Sequence, residues 1–198
     1  MALAIIQPPA APVVGKDAFR QQAGQDGVTA DDALVERLIE AVTAWIAGPS
    51  GWLGRSLVQQ TLRLTVPFGA EQGIAGIVLP RPPFIGIEAV AVVDRAGSAT
   101  AIPSAAYYTH EEPDGLTRLS FTSDFRAPVL PSGHAFLRID YKAGYGPGGE
   151  QVDPGIRHAV LMAVMRLYAG RGDPTMTLQS DPIMADLFAA YRVWTPPQ

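Results

Sequence analysis

A chain of 198 residues fits one domain of ordinary size, or a domain with an insertion, and can bury a core without covalent staples. Charged residues make up 17% of it and hydrophobic residues 47%, so its surface is short of charge, and a net charge of −4 argues against gripping phosphates through a basic stripe. Zero cysteines exclude disulfides, thiolate metal sites and cysteine nucleophiles, and fit a chain that folds in a reducing cytosol.

The opening, Met1 to Pro9, has no basic n-region and breaks at proline after a short apolar run, so it does not read as a secretion signal. No stretch reaches the roughly 18 uninterrupted apolar residues of a membrane span. The first predicted helix lies within Val13 to Ala23 and closes at the turn-rich Gly24-Gln25-Asp26-Gly27. A second follows, with Thr29 as N-cap and Asp32 in place of the usual glutamate of a capping box. Leu34, Val35, Leu38, Val42 and Trp45 make its apolar stripe, and Glu36, Arg37, Glu40 and Thr43 its wet side. Gly48-Pro49 ends it, since glycine suits a left-handed exit and proline cannot continue the helix.

From Ser56 to Tyr145 the hydrophobic period changes to two. Strands are predicted over Thr61–Val66, Ile74–Leu79, Ile87–Asp94, Tyr107–His110, Leu116–Phe121 and Ala135–Lys142. In the last of these, Leu137, Ile139 and Tyr141 share one face and Arg138, Asp140 and Lys142 the other. Asp94-Arg95-Ala96-Gly97 reads as a hairpin turn, and strands that follow one another without helices imply a mainly antiparallel sheet.

Helix then returns. Asp153 can cap and Pro154 suits a first turn for a helix over Ile156–Ala169 that is apolar almost all round, with Arg157, His158 and Arg166 failing to gather into one wide wet face. Such a helix must be wrapped by other elements, only some of which one chain can supply. Ile156, Val160, Val164 and Leu167 are therefore expected to pack subunits together, which makes the chain an assembly subunit. Asp181-Pro182 opens a last helix through Met184, Leu187, Phe188 and Tyr191, before the tail of Trp194 to Gln198. The predicted class is α+β: a single domain over residues 1–198, with a helical bundle from 13–50 and 153–192, a β insertion over 56–145 and a flexible tail over 193–198.

No candidate for chemistry survives its context. Gly144-Tyr145-Gly146-Pro147-Gly148-Gly149 spells a dinucleotide fingerprint, but no βαβ unit follows and Pro147 removes an amide, so it reads as a strand-to-helix turn. His110-Glu111-Glu112 lacks the second histidine of a zinc-protease motif and reads as a solvated loop. The three histidines lie far apart in sequence and no serine sits in GxSxG, so no catalytic, cofactor or metal residue is assigned and the chain is not expected to be an enzyme. Pro80-Arg81-Pro82-Pro83 has a PxxP spacing but lies between strands, where prolines end one and aim the next. The stripe of Met184, Leu187, Phe188, Tyr191 and Trp194 either packs on the chain's own bundle or docks on a partner. A rival class is a carbohydrate- or peptide-binding β module on a helical scaffold, for which Tyr107, Tyr108, Phe121 and Phe125 are the candidate platform. A hydrolase whose site is assembled in space stands behind it.

Five blocks, in this order, resemble head–tail connector proteins of long-tailed phages: Ile5-Ile6-Gln7-Pro8-Pro9, the helix from Asp32 to Ala41, Leu79-Pro80-Arg81-Pro82-Pro83-Phe84, Tyr141-Lys142-Ala143-Gly144-Tyr145-Gly146, and Val152 to Leu161. The resemblance spans nearly the whole chain. The alanine-rich, cysteine-free composition looks like the adaptor of prophage-derived gene transfer agents.

That resemblance implies a non-catalytic adaptor ring of twelve copies at the head–tail junction of a virion or phage-like particle assembled in the bacterial cytoplasm. The ring would sit beneath the portal protein, offer a platform to the next tail component, a stopper or tail terminator, and let DNA pass without specific binding. Met184, Leu187, Phe188, Tyr191 and Trp194 are then the expected portal contacts. A duct through which DNA slides should not hold phosphates, so its lining is expected to be neutral or acidic, not ringed by Arg63, Arg81, Arg118 or Arg138.

Overall fold

The computed structural model describes residues 1–25, 27, 29–48, 51–67, 76–126, 128, 134–171, 173 and 182–193. Within them the fold is α+β, with four α-helices and eight strands in two antiparallel sheets. The chain forms two compact units: residues 1–8 with 60–144, which hold the strands, and residues 9–59 with 145–193, which hold the helices.

In the strand unit, β1 (Ala2–Gln7), β2 (Gln60–Pro67), β8 (His134–Ala143), β4 (Phe84–Asp94) and β5 (Ala99–Ala101) make one sheet in that order. A second sheet runs β3 (Ile77–Leu79), β7 (Thr117–Phe121), β6 (Tyr107–Glu111). The period-two pattern dictates the packing. Leu62, Leu64 and Val66 stand opposite Tyr141, Ile139 and Leu137, which in turn face Ile87, Val90 and Val92. These side chains form one apolar face that buries itself against Ile77, Leu79 and Leu119 of the second sheet. On the outer face Arg63 grips Asp140 through two hydrogen bonds of 2.8 Å, and Lys142 pairs with Glu88 at 2.7 Å. The Asp94–Gly97 turn closes as expected: Gly97 takes φ 89 and the Asp94 carboxylate accepts from the Ser98 amide at 2.8 Å.

Two features of this unit were not foreseen. Met1 to Ile6 is an apolar run whose only signal is its greasiness, yet it forms β1, with Leu3 and Ile5 opposite Leu64 and Leu62. Strand β6 runs one residue past its predicted end at His110: Glu111, read with His110 and Glu112 as a solvated loop, pairs with Thr117 as His110 does with Arg118, and this pairing outweighs its polarity.

Arg81, between β3 and β4, is 5% exposed and takes φ 65, so this proline-rich segment is no polyproline helix. Burial pushes its guanidinium below the ordinary value, although arginine stays protonated at neutral pH. Beside it, burial drives the Tyr141 hydroxyl far above the usual phenol range, and that hydroxyl donates to the Pro80 carbonyl at 2.7 Å. Tyr141→Phe keeps the ring and strips this bond, and is expected to lower unfolding free energy by roughly 1 kcal/mol in urea titrations.

In the helical unit, α1 (Lys16–Ala23) buries Phe19 and ends at Gly24, which takes the left-handed φ of 64 and donates to the Arg20 and Gln21 carbonyls. Helix α2 (Asp32–Ala47) starts later than predicted. Its N-cap is Asp31, not Thr29, and the Asp31 carboxylate does not cap but accepts a hydrogen bond from the Tyr168 hydroxyl of α3 (Pro154–Ala169). The buried stripe is Val35, Ile39, Val42 and Ile46; Leu34, Leu38 and Trp45 are only half-buried, because α3 meets the helix one residue round from the predicted line. Thr43, expected in water, has its Oγ1 buried. Gly48 leaves the helix extended at φ −62 rather than left-handed, so that the Trp52 and Leu53 amides reach back to the Trp45 and Ile46 carbonyls at 3.1 and 2.9 Å.

Helix α3 begins as predicted: Asp153 accepts from the Gly155 amide at 2.8 Å, with Pro154 in the first turn. It is the element that α1, α2 and α4 (Pro182–Ala189) all touch. Ile156, Ala159, Val160, Ala163 and Val164 are buried, whereas His158, Arg166 and Ala169 are exposed. The helix thus does have a wet strip, about 80° wide between His158 and Arg166 at the helical period.

Asp32 ties α2 to α1, accepting from Arg20 Nε at 3.1 Å and again from Nη2. That guanidinium holds the Asp32 carboxyl below its ordinary 3.8; burial opposes the shift and Lys16 adds to it. A depressed folded pKa gives stability that is present above the unfolded value and lost as pH falls through the folded one. The stability gap between wild type and Asp32→Asn is therefore expected to hold steady near neutrality and to close below about pH 4, in urea midpoints taken across pH. A gap that widens on acidification contradicts the pairing.

Candidate docking surfaces

Helix α4 rests in an aromatic socket. Trp45, in the last turn of α2, stacks on Trp52 with ring centroids 6.2 Å apart and planes 16° from parallel. Phe188 meets both edge-on, at 6.1 and 6.5 Å. The turn after Gly48 creates this seat by folding Trp52 back onto α2. The end of the helix is then pinned. Val193 donates to the Leu53 carbonyl at 2.9 Å, Arg192 lies over Trp52 at 4.9 Å, and Arg55 donates to the Tyr191 carbonyl at 2.7 Å and to the Tyr145 hydroxyl at 2.6 Å. Gly54 allows the approach: it takes φ 66, and a Cβ there would sit 2.4 Å from the Val193 carbonyl oxygen. The Tyr191 hydroxyl bonds to Asp153, and this bond first, with burial second, raises its pKa.

The expected docking stripe is thereby divided. Met184 and Phe188, 2% and 0% exposed, belong to the unit's own core and cannot meet a partner there. Leu187 and Tyr191 are half-buried against that core, and Trp194 lies outside the described residues. What α4 offers outward is Ile183, 60% exposed, with Asp186 and Ala189, and Ala190 is exposed just past its end. Ile156, Val160 and Val164 are likewise enclosed by their own chain and hold α1, α2 and α4 together, whereas Leu167, half-buried, keeps surface open to a neighbouring subunit. The half-buried Met162 falls within the arc of the exposed strip, and Leu161 and Met165, also half-buried, border it. Val193, assigned to a flexible tail, is instead bonded to Leu53.

In the glycine-rich turn a Cβ at Gly149 would lie 2.3 Å from the Val13 carbonyl, so that glycine lets chain pass chain, while at Gly146 the neighbour is the Gln151 side chain, 2.0 Å away at Oε1. The turn's polar groups are spent locally: Tyr145 donates to Leu57, Gln59 to Gly146, and Gly148 to the Gln151 side chain. His110 Nε2 lies 3.2 Å from Glu112, which accepts from Arg118 Nε at 2.8 Å, and no cluster of three metal-ligating side chains occurs among the described residues. Tyr107, Phe121 and Phe125 cover the strand core, with the two phenylalanines stacked at 4.3 Å; of the candidate platform only Tyr108, 54% exposed, faces out. The binding-module reading thus loses its aromatic surface within the described residues. Sequence reasoning missed the Trp45–Trp52 seat and Arg55; two of the chain's three tryptophans falling on either side of a helix stop was the available signal. Phe188→Ala is expected to cost about 3–5 kcal/mol in unfolding free energy, since it leaves a hole between the two indoles.

No protein-family profile matches the sequence, and no curated protein is significantly similar to it. Among solved structures, the chain matches one in the "Virion of native gene transfer agent (GTA) particle" with a TM-score of 0.78 and 21% identity, covering 100% of this chain and 98% of that one. A chain in the "Neck of empty GTA particle computed with C6 symmetry" gives the same values. The fold is one found in the gene transfer agent neck. A further match, in the "Neck of native GTA particle computed with C12 symmetry", has a TM-score of 0.68 at 20% identity, again over 100% and 98% of the two chains. The likeness is one of fold, and it runs from end to end. It agrees with the five sequence blocks that resemble head–tail connectors.

Proposed function

We propose that the chain is a structural head–tail adaptor of a gene-transfer-agent-like particle, present as a ring of twelve copies beneath the portal and leaving a channel for DNA. The observation that carries this reading is the full-length fold match to chains of gene transfer agent necks, computed with sixfold and twelvefold symmetry. A ring of identical subunits at that position fits both symmetries. The role needs no catalytic step.

The charge pattern supports passage of DNA rather than its retention. Of the four arginines that would matter in a channel, Arg63 is bound to Asp140, Arg118 to Glu112 and Arg81 is buried, while Arg138 is half-buried on β8 and makes no ion pair among the described residues. Each such pairing removes a counter-ion site that would hold a phosphate. The helical unit supplies the scaffold of the ring, and the outer side of α4, through Ile183, with Ala190 just past the end of the helix, meets the portal. The next tail component takes the opposite end of the ring.

Particles produced without this chain are expected to show filled heads and detached tails in electron micrographs. Stable interfaces bury 2,000 Å² or more when obligate, so a single surface change is too small a perturbation. The pair Ile183→Glu with Ala190→Glu should leave the melting temperature within a few degrees of wild type and still cut joined particles at least tenfold. Normal joining by that folded variant removes α4 from the portal contact. Complete particles assembled without the chain remove the adaptor role itself.

A further inference from the structure

Strand β1 is an unprotected edge. Ala2-Leu3-Ala4-Ile5-Ile6-Gln7 carries no charge and no proline, and it sits at one end of the five-stranded sheet, paired only to β2. Edge strands are normally blunted by lysine, proline, bulges or short length. Here a register shift between Ile5 and Gln7 disturbs only the last residues. Leu3 and Ile5 turn to the core, so Ala2, Ala4 and Ile6 share the outer face, where Ile6 is 43% exposed. Outside the β1–β2 ladder, no backbone hydrogen bond engages residues 2–7 among the described residues. Alternate amides and carbonyls of an edge strand point away from its partner, and an uncharged row of them is a template for another strand.

The opposite end of the same sheet is β5, Ala99-Thr100-Ala101, equally uncharged and exposed at all three positions. Thr100 stands opposite the core residue Val92, which leaves Ala99 and Ala101 on the outer face with Ala2 and Ala4. Among the described residues, both ends of the sheet therefore combine main-chain groups that have no second strand beside them with small outer side chains.

We propose that β1 of one copy adds to the β5 edge of the next, so that the sheet continues from subunit to subunit. This rests on the ring reading given above. A second copy is the occupant because a closed ring needs two different, complementary surfaces on every subunit, and the two ends of one sheet are such a pair. The short β5 limits the ladder, so the main-chain bonds set register and direction while the exposed Ile6 and Met1 supply the apolar contact.

The absence of cysteine makes the test direct, because any disulfide must come from introduced residues. Ala4→Cys combined with Ala99→Cys, or with Ala101→Cys, is incorporated into particles and oxidised. Facing strands bring Cα atoms to within the roughly 4.4–6.8 Å that a disulfide spans. The expected result is a covalent ladder of multimers of this chain on a non-reducing gel, lost on reduction and absent from each single variant. Intact rings in which both double variants stay monomeric overturn the proposal and leave the ring standing. So do dimers from Ala4→Cys alone, which mean β1 pairs with β1, or cross-links to a different protein. Necks with no ring of this chain overturn the ring reading and this one together. Independently, Ala4→Lys with Ile6→Lys should leave a folded monomer with an unchanged melting temperature and abolish ring assembly; normal rings from that variant also overturn the proposal.

Discussion

The enclosure of α3 is the constraint from which the helical unit follows. Ile156, Val160 and Val164 are 0% exposed, and fully burying each such side chain stabilises by about 1.5–3 kcal/mol. Ala159 and Ala163, on the same side, are small enough to let neighbouring backbones close in. The polar ties then fix which neighbours: Tyr168 to Asp31, Arg20 to Asp32 and Tyr191 to Asp153 join the N-terminal helices, α3 and the end of α4. Because α4 is part of that enclosure, its Met184 and Phe188 belong to folding, and only its outer side is left for assembly.

The strand unit obeys a different rule. Its central strands β2, β8 and β4 each present one apolar face to the core, and the opposite face disposes of its charges in pairs, Arg63 with Asp140 and Lys142 with Glu88. Arg138, on the same face of β8, stands outside these pairs, so the matched charges weaken the hold of this face on phosphate without removing it. Among the described residues the uncovered features of this unit are main-chain groups at sheet edges and a few exposed apolar side chains, Met1, Ile6, Ile85 and Tyr108. That balance suits a part whose work is to be positioned, and it is consistent with the neck-type fold.

Period was legible, and position was not. Alternation at Thr61–Val66 and Ala135–Lys142 named the central strands to within a residue or two, and the Asp153-Pro154 start of α3 is built as predicted. The errors arose where long-range partners overrode local signals. Thr29 heads the nearest thing to a capping box, but the helix starts after Asp31, whose carboxylate is held by Tyr168; Gly48 could turn left-handed, but the Trp52 and Leu53 amides need an extended exit. Met1 to Ile6 has no period at all and becomes a strand only because β2 offers it an edge. For the docking stripe, periodicity found the apolar side of α4 and could not say whose surface covered it. The socket that does so, Trp45 with Trp52, is assembled across a turn that no repeat announces.

The fastening of Val193 has a mechanical meaning. A pull on the chain just past this residue enters the helical unit through the Val193–Leu53 hydrogen bond and the Arg55 grip on Tyr191, before it reaches the Phe188 side chain. Tension is thus shared between the segment after α2 and, through Tyr191 and Asp153, the start of α3, so α4 is shielded from being peeled off turn by turn. A subunit strained at this terminus would resist as a whole and then give way abruptly, as a latch does.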